Sequence, residues 1–155
     1  MKKEHLIIVI QYLFRFILGG LLVFAGILKV QDNTTLFESV AYIPWLSIGI
    51  KSLIIDFLPY IEIAAGTLLI FKIFDKVVLP LNGLIYLSFL IFAIWGLNTG
   101  LEIDCGCFGD LDNSSFIGSL LGGEMGWRMV IRNSIFVLMI GFLFLNPFTF
   151  SNFDQ

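Results

Sequence analysis

Charge is scarce in this chain: Asp, Glu, Lys and Arg together make up 14% of 155 residues. The basic residues are scattered rather than clustered, which sets nucleic acid aside as a partner. Histidine is nearly absent too, with His5 the single example. A tetrahedral zinc site needs two soft or imidazole ligands beyond a cysteine pair, and His5 is expected across the membrane from both cysteines. Cysteine itself occurs only at Cys105 and Cys107, so no disulfide framework staples the fold. What the sequence has in excess is apolar surface, 58% hydrophobic residues with a mean hydropathy of +0.96. That balance belongs to an integral membrane protein. At about 20 apolar residues per crossing, residues 1–155 supply four transmembrane helices in a single domain and little else.

The two cysteines sit in Asp104-Cys105-Gly106-Cys107-Phe108-Gly109-Asp110, inside the longest polar break in the chain. Closing a disulfide across one residue demands a tight turn, and Gly106 permits it at least steric cost. So short a loop gains little from restricting the unfolded chain. A strained, accessible pair of this kind is easily reduced, which suits an exchanging dithiol better than a permanent staple. A fixed local disulfide or two idle thiols is the plainer alternative.

The chain begins with a short charged leader and an apolar run from Leu6 to about Leu28. The run is too long for a signal peptide, contains Arg15 and lacks an A-x-A site, so it is expected to remain as the first helix. Gln11, Arg15, Gly19, Gly26 and Lys29 fall on one face of it. Such a stripe faces protein, because small residues let helices approach closely and charges avoid lipid. Residues 30–51 are too mixed to span, and with Phe37 and Trp45 they read as an interfacial segment, an ordinary long loop being the plainer alternative. The second helix is expected from about Leu53 to Phe74, with Asp56, Pro59, Glu62 and Gly66 sharing a face. A third follows from about Val77 to Leu97, a polar loop from Asn98 to Gly126, and a fourth helix from Trp127 to Asn146 bearing Arg128, Arg132 and Asn133.

Arg15 and Glu62 each lie roughly 13 Å from opposite ends of antiparallel helices, at 1.5 Å rise per residue. Similar depth predicts an Arg15–Glu62 pair, and a Lys29–Asp56 pair nearer the surface. Lys2, Lys3, Lys72 and Lys76 fall on the side of the termini, while the cysteine loop is acidic. The positive-inside rule then puts both termini in the cytoplasm and the cysteines on the oxidising side.

Taken in order, Arg15, Gly19, Gly26 and Lys29, then Leu58, Pro59, Glu62 and Gly66, then Asn98, Gly100 and Cys105-Gly106-Cys107-Phe108-Gly109, and finally Arg132-Asn133, resemble the MauE/DoxX family and its MauE branch most. The resemblance spans nearly the whole chain. It implies an all-α bundle in the bacterial inner membrane that works with extracytoplasmic thiol chemistry. It further implies thioredoxin-fold partners and the maturation of disulfide-rich periplasmic proteins; DoxX relatives are instead tied to sulfur oxidation and quinone-linked complexes.

The functional expectation is a thiol/disulfide protein with Cys105 and Cys107 as the reacting pair. Arg128 or Arg132 is placed to favour a thiolate, against Asp104 and Asp110. Arg15, Lys29, Asp56, Glu62 and Arg132 are candidate binding residues that would line a cavity beneath the loop, where a quinone or other acceptor takes two electrons. The plainer reading of the same charges is that they hold the bundle together. A non-enzymatic anchor or assembly subunit is the alternative function.

Overall fold

The computed structural model describes residues 2–100 and 126–146. Among them every regular element is helical: α1 (Lys2–Gln31), α2 (Thr34–Ala41), α3 (Ile48–Phe71), α4 (Asp75–Thr99) and α5 (Trp127–Leu145). Four of these, all but α2, are long and apolar enough to cross a bilayer. The protein is a multi-pass membrane protein built as a four-helix bundle, with the short α2 between the first two spans. Both expected first spans are longer than their apolar cores suggested. α1 reaches back to Lys2 and forward to Gln31, and α3 runs from Ile48 to Phe71 rather than from Leu53 to Phe74. Flanking polar residues continue a helix once its apolar centre is fixed, because each added residue gains a backbone hydrogen bond.

α1 and α3 pack along the glycine seam. A Cβ on Gly66 would lie 2.5 Å from the Gly19 carbonyl oxygen, and one on Gly26 would lie 2.7 Å from the Pro59 carbonyl oxygen. From Gly19 to Gly26 on one helix and from Gly66 to Pro59 on the other, the antiparallel register holds. Without water to drive association, this close backbone approach is what gives two membrane helices their dispersion contact.

Leu18, Leu22, Leu69, Tyr86, Met129 and Leu143 are buried between the helices. The one polar group on the Tyr86 ring is satisfied there, its hydroxyl donating to the Leu18 carbonyl at 2.6 Å. Tyr86 and Phe136 meet edge to face at 5.5 Å, joining α4 to α5. At the far end Gln11 donates to the Asn146 carbonyl at 2.6 Å, so the start of α1 and the end of α5 share one side of the bundle.

α3 ends at Lys72, whose left-handed backbone (φ 61°) lets the Ile73 N–H reach the Leu68 carbonyl at 3.1 Å. Phe74 is left-handed as well (φ 54°) and opens α4. Two non-glycine residues in this region cost about 1–2 kcal/mol each, and the turn they make reverses the chain within three residues. At the opposite end, Gly100 (φ 64°) caps α4 in a conformation natural to glycine. α2 starts differently, with Asp32 accepting from the Thr34 N–H at 2.9 Å and from its hydroxyl at 2.6 Å. These two bonds hold the exposed Asp32 carboxyl below its ordinary pKa of 3.8.

Candidate functional site

The charged residues of α1 do pair, but not with the partners their depths suggested. Arg15 makes a bidentate bridge to Asp75, Nη1 to Oδ1 at 2.7 Å and Nη2 to Oδ2 at 2.8 Å. Lys29 reaches Glu62 instead, at 2.6 Å to Oε1 and 2.8 Å to Oε2. The physical reason is side-chain direction. Every Cα–Cβ bond on a helix leans toward that helix's N-terminus. On antiparallel helices Lys29 therefore leans down from its end while Glu62 leans up toward it, and they converge. Arg15 leans away from Glu62, past the Leu69 carbonyl it also touches at 3.5 Å, toward the start of α4. Asp75 waits there, a residue the sequence reading left in a connecting turn. The expected Lys29–Asp56 pair fails as well: Asp56 is exposed and accepts from Ser52 at 3.2 Å.

The two bridges differ in surroundings. Asp75 keeps 29% of its side-chain exposure, whereas both Lys29 and Glu62 are at 0%. An ion pair this dry repays its desolvation only with good geometry, and a carboxylate holding an ammonium at both oxygens has it. Lys72 completes the group at the Arg15 end, its ammonium 5.4 Å from the centre of the Tyr12 ring. Partial burial pushes the Lys72 pKa down, the Arg15 guanidinium pushes it further, and Asp75 opposes both.

Above the Lys29–Glu62 pair lies a cavity of about 300 Å³ bounded by α1, α2, α3 and α4. Lys29 is part of its wall, together with Ser39, Trp45, Phe89, Phe92 and Trp95. Its aromatic side is ordered: Trp45 and Trp95 meet edge to face at 5.1 Å, Phe92 lies 5.7 Å from Trp95, and the Lys29 ammonium stands 5.1 Å above Phe89. α2 and the following turn, read from sequence as an interfacial segment, supply one wall. The spacing of the α4 aromatics does not separate lipid contact from packing or from the lining of a cavity.

The cavity sits at the end where α4 finishes at Thr99 and α5 begins at Trp127. Cys105 and Cys107 belong to the connection between these points and lie outside the described residues. Arg132 is half-buried on the second turn of α5. Its neighbour Asn133 is buried, and its side-chain nitrogen has no hydrogen-bond partner among the described residues.

With that geometry in place, comparison of the chain with known families is informative. A family model described as methylamine utilisation protein MauE matches residues 6–146. The chain belongs to the MauE family. The match takes in all four spans and both ion pairs of this MauE-family bundle. No curated protein and no solved structure matches it.

Proposed function

We propose that this MauE-family protein is a membrane thiol/disulfide exchanger, acting as one domain, in which Cys105 and Cys107 pass two electrons to or from an extracytoplasmic thioredoxin-like or substrate protein. The observation that carries the reading is the Cys105-Gly106-Cys107 spacing, the only cysteines of the chain, in the connection between α4 and α5. A thiolate of one partner attacks the disulfide of the other, a mixed disulfide forms, and the second thiol resolves it; the disulfide crosses over and the electrons go the other way. This chemistry serves the maturation of disulfide-containing proteins outside the cytoplasmic membrane of a bacterium. The methylamine utilisation for which the family is described is one setting for it.

The burial of Lys29 supports the orientation this requires. Removed from the loop charges by its pairing with Glu62, it leaves Lys51 and Arg128 as the basic residues flanking the cavity end, against Lys2, Lys3, Lys72 and Lys76 at the other. That difference favours cytoplasmic termini and an extracytoplasmic cysteine loop.

A second reading, an anchor or assembly subunit without redox chemistry, draws support from Arg15 and Asp75, whose bridge has the geometry of a fold-holding contact. Alkylation mass shifts of the two cysteines in native membranes, across a thiol/disulfide buffer series, separate the readings. Exchange chemistry gives a reversible transition with a midpoint of roughly −100 to −250 mV, the range of known exchange proteins. Cysteines fixed in one state throughout would leave the anchor.

A further inference from the structure

We propose that the cavity between α2, α3 and α4 holds one acyl chain of a membrane phospholipid, taken in from the bilayer and recognised by its hydrocarbon rather than by its headgroup. The polar groups of the wall decide the chemistry. Its charged and hydroxyl-bearing side chains are Lys29, Ser39 and Ser88, and each is engaged elsewhere. The Lys29 ammonium is held by both oxygens of Glu62, at 2.6 and 2.8 Å. A lysine whose charge is turned away in this manner presents methylenes to what it borders. The Ser39 hydroxyl donates to the Thr35 carbonyl and the Ser88 hydroxyl to the Ile85 carbonyl, both at 2.7 Å. A ligand carbonyl or phosphate deep in the cavity therefore meets neither a free charge nor a free hydroxyl proton, and burying such a group unpaired opposes binding. Hydrocarbon carries no such penalty, and Leu36, Val40, Ile54, Leu58, Phe89 and Phe92 surround it on three sides.

The entrance supplies the second observation. Trp45 and Ile91 border the cavity and are 65% and 59% exposed. Ile91 lies on α4, a membrane span, so the cavity is continuous with the lipid-facing surface of the bundle. Tryptophan settles at headgroup level, where its large apolar body meets hydrocarbon and its one N–H meets polar groups. Trp45 and Trp95, edge to face at 5.1 Å, thus mark the glycerol end of the lipid, and the Lys29 stem marks the methyl end of the chain. At about 300 Å³ the cavity stands at the small end of ligand sites. It takes one chain and leaves the second chain and the headgroup in the bilayer.

A chain seated there touches α2, α3 and α4 at once. It joins α2, too short to span the membrane itself, to two of the spans, and it does so whatever chemistry the cysteines perform.

The test uses the full chain, purified in detergent and stripped of lipid, with bound lipid counted by native mass spectrometry as dioleoyl phosphatidylcholine is titrated. One phospholipid per chain is expected at saturation. Dioleoyl phosphatidylglycerol should bind within roughly threefold of it, whereas dihexanoyl phosphatidylcholine, which has the first headgroup on shorter chains, should bind at least about tenfold more weakly. Ser88→Phe on α4 and Ser39→Leu on α2 each reduce the room inside and should weaken dioleoyl phosphatidylcholine binding by about tenfold or more, with an unchanged circular dichroism spectrum. If one variant fails to fold, the other carries the comparison. The proposal is overturned if no lipid binds saturably, if affinity follows the headgroup and not the chains, or if a folded variant binds as the parent does, since the lipid would then adhere only to the outer surface.

Discussion

The Lys29–Glu62 pair makes the sharpest quantitative demand on the bundle. Both side chains are fully buried and the contact joins α1 to α3. Glu62→Gln removes the anion and leaves an ammonium in a site with no water, a loss of about 3–5 kcal/mol. Lys29→Met strands the carboxylate at similar cost. Lys29→Met/Glu62→Leu removes both charges with little change of volume and is expected to lie close to the parent in stability, or up to about 4 kcal/mol above it. The pattern is far from additive, and non-additivity is the signature of direct contact. The bridge at the other end supplies the control. Asp75 retains access to water, so Arg15→Met, which leaves that carboxylate hydrated, is expected to lose only about 1.5–3 kcal/mol, the range for a hydrogen bond to a charged group. Exchanging Arg15 with Glu62 should rescue nothing, because their side chains diverge. Reversible unfolding in mixed micelles by SDS titration, followed by far-ultraviolet circular dichroism, measures all of these. A Glu62→Gln variant within about 1 kcal/mol of the parent, or a double variant no better than the worse single one, would refute the buried pairing.

Two further outcomes follow from the packing and the turn. Gly66→Val drives a side chain into the Gly19 carbonyl and Leu22, and should cost about 1–3 kcal/mol from overpacking in the same SDS titration, whereas Gly83→Val, where a Cβ meets nothing within 4 Å, should be close to neutral. Lys72 has a folded pKa below its ordinary 10.5. The unfolded chain therefore binds its proton more tightly, and stability rises with pH between the folded value and 10.5; Lys72→Met should flatten that rise in melting curves taken from pH 8 to 11.

The four spans were legible because each needs a long apolar run, and bilayer thickness leaves few ways to divide 155 residues. Most of the inward faces of α1 and α3 were legible as well: Gln11, Arg15, Lys29 and Glu62 are buried, whereas Asp56, expected on the face of Glu62, is exposed. Partner choice was not. Depth alone treats a residue as a point on the helix axis, while a lysine or arginine reaches several ångströms along it in a direction set by the backbone. Applying that lean to the predicted spans turns Lys29 toward Glu62 and Arg15 toward Asp75. The cavity was hidden for a different reason, since Phe89, Phe92 and Trp95 have the same spacing whether they meet lipid, a neighbouring helix or a ligand.

The distribution of charge along the bundle makes its two ends unequal. At the end of the termini, Arg15, Asp75, Lys72 and Tyr12 gather around a strained three-residue turn, and Gln11 ties α1 to the end of α5. Those contacts tie α1 to the start of α4 and the end of α5. At the other end a pair of equal and opposite charges is placed under a wall of tryptophan and phenylalanine, and α2 lies across it. The cavity stands at the end of the bundle where α4 finishes at Thr99 and α5 begins at Trp127.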